Sequence, residues 1–224
     1  MNYIIYNGIN SKQFNSLIVN KLPEIVRPAR KFNKVTVDGR DGAIYEDLGY
    51  EDSSRTIEIS IRNYTEIDEI LSWLTGEGYA VFSNEPDKKY YIRLYNAIGI
   101  EKLIRYGQAS IRFICSPYKY LNEEKSTTSL IVTNVGTVIS KPYMKITGSG
   151  NTILLVDGKE VCTLNIEDGC LELDSESMEC SKDGVLKNRK ILGKFPEFTP
   201  GEHIISFQGG TITMCETLVR SRFI

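Results

Sequence analysis

The chain reads as a mainly β protein, and three observations carry that reading. Short runs of alternating apolar and polar residues recur from end to end, glycine and other turn residues punctuate them, and only one stretch has helical periodicity. The runs fall at Val35–Val37, Thr56–Arg62, Lys89–Tyr95, Gln108–Cys115, Leu130–Thr133, Tyr143–Thr147, Thr152–Val156, Val161–Leu164, Leu171–Asp174, Ile204–Phe207 and Ile212–Glu216. Many short strands at such spacing belong to antiparallel sandwiches or barrels.

The first run leads into a glycine-bracketed turn, Gly39-Arg40-Asp41-Gly42, and an extended arm reaching Tyr50. The glycines accept positive φ and the two charges are expected to bond nearby backbone, so this segment reads as scaffold. In Thr56–Arg62, Ile57, Ile59 and Ile61 share one face while Glu58, Ser60 and Arg62 share the other, as a sheet with one wet side requires. The helix is expected over about 66–75, capped by Thr65, with Glu66, Asp68 and Glu69 in its first turn and Gly76 ending it. Ile67, Ile70, Leu71 and Leu74 then form an apolar stripe that must lie on a sheet. Trp73 sits off the centre of that stripe and reads as a core or rim anchor.

The polar tract Asn122–Ser129 marks a domain boundary, giving domains 1–125 and 126–224. The second half is strand and turn only. Gly148-Ser149-Gly150, Gly169, Asp183-Gly184 and Gly209-Gly210 punctuate it, and Asp157-Gly158 between two alternating runs is a hairpin signal.

Net charge is −2 over 224 residues, with the signs interspersed, so no phosphate-tracking face is advertised and nucleic acid is not expected as a partner. No segment has the apolar length of a membrane span, and the start lacks the basic and apolar regions of a signal peptide, so synthesis in the cytoplasm without membrane insertion is expected. Cys115, Cys162, Cys170, Cys180 and Cys215 never form a Cys-x-x-Cys pair and read as reduced, mostly packed thiols.

Groups for catalysis are scarce. The one histidine, His203, has no nucleophile elbow or cysteine-protease signature to accompany it, and reads as a solvent-facing turn residue. The acidic stretch Asp174–Glu179 invites a glycosidase carboxylate pair, but an acidic turn is the simpler reading, and its spacing is not that of an EF-hand. Gly148-Ser149-Gly150 lacks the Lys-Ser/Thr of a phosphate loop. No catalytic residue, metal ligand or cofactor is expected. Tyrosines cluster at Tyr90, Tyr91 and Tyr95 and at Tyr118 and Tyr120; with Tyr143 they are candidates for subunit contact or sugar stacking, sheet packing being the commonest use.

The order and spacing of Val35–Gly42, Thr56–Arg62, Trp73-Leu74-Thr75-Gly76 and Phe82–Tyr91, closed by Phe113–Tyr118, resemble the N-terminal half of the distal tail proteins of long, non-contractile-tailed bacteriophages. Asn134–Thr137 leading to Lys141–Gly150, and Pro200–Phe207, look like that family's C-terminal half, although its members usually have asparagine where His203 stands and an aromatic near Val219-Arg220. The resemblance implies an N-terminal β-sandwich with one short α-helix plus a C-terminal galectin-like antiparallel β-sandwich. It implies a structural virion protein of the phage tail, assembled in the host bacterial cytoplasm as a homohexameric ring. Its partners would be the tail tube protein, the tail-tip or tail-associated protein or fibre, and the tape-measure protein. The alternative is a carbohydrate-binding or receptor-binding β-sandwich that takes cell-wall polysaccharide through its tyrosines.

Overall fold

The computed structural model describes residues 1–95 and 107–224, which divide into two compact units, Met1–Asn122 with Ile224 and Glu123–Phe223. The first contains β1 (Ile4–Tyr6), β2 (Ile9–Asn10), β3 (Leu17–Lys21), β4 (Arg30–Thr36), β5 (Ala43–Tyr50), β6 (Ser53–Ile61), α1 (Ile67–Trp73), β7 (Gly76–Phe82), β8 (Lys88–Leu94) and β9 (Gln108–Leu121). Seven of these strands are hydrogen-bonded neighbours in the order β2-β1-β7-β8-β9-β6-β3, antiparallel throughout. Side chains from both ends of that order meet in one core: Ile4 and Tyr6 of β1, Leu17 and Val19 of β3, and Phe113 and Cys115 of β9. The sheet therefore folds over on itself. The isoleucine triplet Ile57, Ile59 and Ile61 is buried while Glu58 and Arg62 are exposed, as alternation demands.

The helix is shorter than the sequence suggests. A 3₁₀ turn, Tyr64–Glu66, precedes it, and Asn63 rather than Thr65 supplies the cap, its Oδ1 accepting from Thr65 N at 3.2 Å. Glu66 is drawn away from the helix start because its carboxylate accepts from Ser16 N (2.9 Å) and Ser16 Oγ (2.5 Å). α1 ends at Trp73, where Leu74 N closes on Ile70 O, and Gly76 (φ +78°) opens β7 instead of ending the helix. Trp73 lies in the core: its Nε1 donates to Tyr6 O at 3.1 Å and its ring meets Phe14 at 5.1 Å.

The second unit contains β10 (Ile131–Asn134), β11 (Tyr143–Val156), β12 (Lys159–Asp174), β13 (Glu179–Lys182), β14 (Val185–Leu186), β15 (Ile191–Gly193), β16 (Gly201–Gln208) and β17 (Thr211–Leu218). β11 and β12 form one long hairpin about Asp157 (φ +53°) and Gly158 (φ +73°), both left-handed as a tight primed turn requires. One half of β11 borders β17 and the other borders β16, which carries β10. β12 likewise borders β15 with one half and β13 with the other. The hairpin thus runs through two layers that share the core of Met144, Ile146, Leu154, Leu164, Leu173 and Phe198.

Here the sequence reading needs correction, because Gly148-Ser149-Gly150 and Gly169 do not end strands; they lie inside them. Gly148 faces Gly169 across the ladder, the register shifts between Gly148 and Gly150, and Gly150 (φ +90°) and Gly169 (φ +101°) bend the hairpin without breaking its pairing. A Cβ on Gly148 would stand 2.2 Å from the Thr211 carbonyl oxygen, whereas one on Gly158 would meet open space. Gly148→Ala is expected to destabilise by on the order of 1–3 kcal/mol through overpacking. Gly158→Ala should cost about 1–2 kcal/mol through its left-handed backbone. Urea denaturation of the two variants, followed by tryptophan-independent far-UV signal, checks both.

Candidate functional site

The longer sheet strands of both units bury one face. β4 and β5 do not. They form a separate two-stranded ribbon, paired from Thr36↔Ala43 to Arg30↔Tyr50, and every residue of β4 is exposed. Its tip is the Gly39–Gly42 turn, where Arg40 N donates to Val37 O at 3.2 Å and both glycines are left-handed (φ +79° and +80°). The Arg40 and Asp41 side chains make no hydrogen bond or ion pair among the described residues, so the glycines shape the turn and the expected charge-to-backbone bonds do not form.

At the base of the ribbon the register shifts near Gly49 (φ +92°), whose N–H is taken by Asp47 Oδ1 at 2.9 Å. Asp47 also pairs with Arg30, whose guanidinium stacks over Tyr50 at 4.6 Å. Tyr50 meets Tyr118 edge-on at 6.0 Å, and Glu51 N donates to Ala29 O, so the ribbon is tied at its root. Beyond the root it carries Phe32, Val35, Val37, Ile44, Tyr45 and Leu48 in the open, Phe32 being 57% and Tyr45 60% exposed. Phe32 and Tyr45 cover only each other, ring centres 5.4 Å apart. A two-stranded ribbon has too little surface of its own to bury such residues and is marginal alone in water; exposed apolar surface on free strand edges marks a place for docking. The sequence reading took this segment for scaffold. Its signal was present: β4 and β5 carry apolar residues on both faces, so no register can hide them.

The tyrosines divide between two settings. On β8, Tyr90 points inward with Ile92 and Leu94, while Lys89, Tyr91 and Arg93 point outward. Tyr90 is 3% exposed, which removes it from the candidates for sugar or subunit contact; burial, then its hydrogen bond to Glu85, push its hydroxyl far above the usual range. The outward residues form a ladder in which Tyr79 meets Tyr91 at 5.3 Å and Tyr120 at 6.0 Å, with Lys89 over Tyr79 and Arg93 over Tyr91. Tyr118 is held against Tyr50, and Tyr143, in the second unit, is half-buried beneath Arg220 at 5.7 Å. The structure does not bring these candidates into one site. None lines the cavity of about 760 Å³ edged by Thr128, Leu130, Phe207, Gly210 and Met214.

His203 is also corrected. It is 7% exposed, lies in β16, and stacks on Phe198. Its Nδ1 is 2.6 Å from Asp157 Oδ2 and its Nε2 donates to the Thr199 carbonyl at 2.8 Å, so no ring nitrogen is offered to a substrate. Asp157 accepts Ile204 N as well, and these bonds hold its carboxyl below the usual range. Asp174–Glu179 is an acidic turn, as expected: Asp174 takes the N–H groups of Glu176 and Ser177 and a bidentate grip from Arg220 at 2.6 and 2.8 Å. Val219, next to Arg220 in the chain, is buried. Among the described residues no cluster of three His, Cys, Asp or Glu could hold a metal. All five thiols are free and four are buried; burial pushes Cys162 up to about 12.

With this geometry in view, comparison with known proteins is informative. Residues 7–115 match the family of the phage tail protein RIFT-related domain. The whole chain superposes on the SPP1 Dit protein, described as a paradigm of the hub adsorption apparatus in phages infecting Gram-positive hosts, with a TM-score of 0.71 at 17% identity and full coverage of both chains. It also matches a chain of the phage P2 baseplate in its activated, calcium-bound conformation, with a TM-score of 0.54, 9% identity and 96% coverage of each. No curated protein sequence matches. Residues 7–115 thus match a phage tail RIFT-related domain, and the chain has the distal tail fold along its whole length.

Two outcomes check the site chemistry. In acid, Asp174 is depressed: burial raises its pKa, but the Arg220 pair and two backbone donors outweigh that. A carboxyl depressed by folding stabilises fully above its unfolded pKa, about 4 for Asp, and that contribution is lost as pH falls through the lower folded value. Thermal midpoints should therefore hold from pH 7 to about 5 and fall below about 4, with Asp174→Asn showing a lower midpoint at pH 7 and a shallower acid loss. Iodoacetamide at pH 8 should label at most the half-buried Cys170 in the folded chain and all five thiols in denaturant, read by mass spectrometry.

Proposed function

We propose that this protein is the distal tail hub of a phage with a long, non-contractile tail: copies close into a hexameric ring through their first units, and the ring joins the tail tube to the tail tip. The observation that carries this is the bare β4–β5 ribbon on a domain of the phage tail family. A head-to-tail contact with the right rotation closes into a ring, and a ribbon that projects from one copy supplies the heterologous surface such a contact needs. The tail tube protein would lie on one side and the tail-tip protein or fibre on the other, with the tape-measure protein at the channel. The protein acts in the virion by presenting surfaces in symmetry and performs no reaction. Support comes from the family domain, from the full-length likeness to a hub protein, and from the blocked ring nitrogens of the only histidine.

Light scattering on the purified chain should give the mass of six copies of 25.3 kDa, about 152 kDa, and negative-stain images should show rings with a central hole. A monomer at every micromolar concentration, with no ring at the tail end of virions, would overturn the reading.

A further inference from the structure

One flank of β12 in the second unit has a gap. β12 borders β15 over residues 162–164 and β13 over 172–174, so among the described residues 165–171 have no strand beside them there. Across the gap the β11–β12 ladder carries a bulge: Gly148 pairs with Gly169 and Gly150 with Ile166, which leaves residues 167 and 168 facing the single Ser149. Bulges re-aim side chains and recur beside functional sites. Here a hollow of about 30 Å³ opens among Ile166, Glu167, Cys170, Lys182, Lys187 and Lys190. Its lysines arrive from three directions, Lys182 from β13, Lys187 from the chain after β14 and Lys190 from the 3₁₀ turn Asn188–Lys190. The Lys182 ammonium lies 3.3 Å from the point where a Cβ on Gly169 would stand, so the glycine of the bend leaves it room. Among the described residues one carboxylate, Glu167, lines the hollow. It bonds Lys190, and its carboxyl is held below the usual range first by that bond and then by the charges of Lys187 and Lys182. Three cations against one carboxylate leave an excess of positive charge, in a chain whose net charge is −2. Like charges gathered in this way repel unless an anion shares them.

We infer that this hollow is a site for one phosphate group, free or carried as an ester, held by Lys182, Lys187 and Lys190, with Glu167 as its built-in competitor. Lysine binds phosphate as a point charge. Ammonium groups converging from different directions suit a tetrahedral oxyanion, each meeting its own oxygen, whereas a planar carboxylate such as Glu167 offers only two oxygens. The volume admits a group of a few atoms and is far below that of a pocket for a drug-sized ligand, so an ester's alcohol would stay outside. Lys187 and Glu167 are exposed at the rim, and the Glu167 side chain, 72% exposed, swings into water as the anion enters. The site lies within the second unit and holds whether or not copies assemble.

The test is a titration of inorganic phosphate with the full chain in low-salt buffer, followed by the phosphorus NMR line. The native chain should bind with a dissociation constant on the order of 1 mM, the scale of a few partly exposed charge contacts, and sodium chloride should weaken it. Lys182→Gln and Lys187→Gln should each weaken binding about three- to tenfold, and Glu167→Gln should tighten it by about as much. Lys31→Gln and Glu46→Gln make the same charge changes in the first unit and should leave binding within about twofold, since distant exposed charges are screened. The opposite signs separate a site from lost folding, because a damaged hollow does not bind more tightly. Sulfate should displace phosphate, and acetate at equal ionic strength should not. Glycerol 3-phosphate should bind as the free ion does; its failure where phosphate binds would confine the site to the free ion. The inference is sunk if phosphate does not bind, if acetate competes as well as sulfate, if Glu167→Gln weakens binding, or if the first-unit variants act as strongly as those in the hollow.

Discussion

Every strand of an antiparallel sheet has two faces, and at least one must be hidden from water for the sheet to persist. This protein meets the demand almost everywhere. Ile57, Ile59 and Ile61 meet Leu17, Val19 and Ile111 inside the first unit; Met144, Ile146, Leu171 and Leu173 do the same in the second. Because both units satisfy the rule with their own residues, the place where it fails is conspicuous. β4 and β5 leave Phe32, Ile44 and Tyr45 in water, and the functional reading grows from that one breach.

The second demand, that buried polar groups find partners, decides the remainder. In the second unit Asn134 spans Val138 O and Phe198 O with its amide and takes Gly136 N on its oxygen. His203 is consumed in the same way between Asp157 and Thr199, and Arg55 in the first unit between Val26 O and the Tyr90 ring, with Ser53 Oγ on its Nε. Groups that elsewhere do chemistry are here spent on holding loops to sheets.

The fold class, the Asp157-Gly158 hairpin, the apolar stripe of the helix and the acidic turn at Asp174 were legible in the chain, because each depends on neighbours within a few residues. The strand breaks expected at Gly148-Ser149-Gly150 were misread for a related reason: glycine marks a turn or a bend inside a strand alike, and only the pairing of Gly148 with Gly169 tells them apart. Thr65 does not cap α1: Asn63 caps the 3₁₀ turn ahead of it, and Glu66 at the helix start is claimed by Ser16, about fifty residues earlier. His203 was expected at the surface because nothing adjacent in sequence reveals that Phe198 will lie under its ring.

Taken alone, the order of residues determined that this would be a mainly β protein with one short helix, since periodicity and turn chemistry are local properties. The folded structure decided which tyrosines face water, which loop a buried imidazole pins, and that the ribbon ending in Gly39–Gly42 is left uncovered. Those are outcomes of long-range packing: alternation assigns side chains to two faces, and only the arrival of a distant strand or helix determines which face is filled.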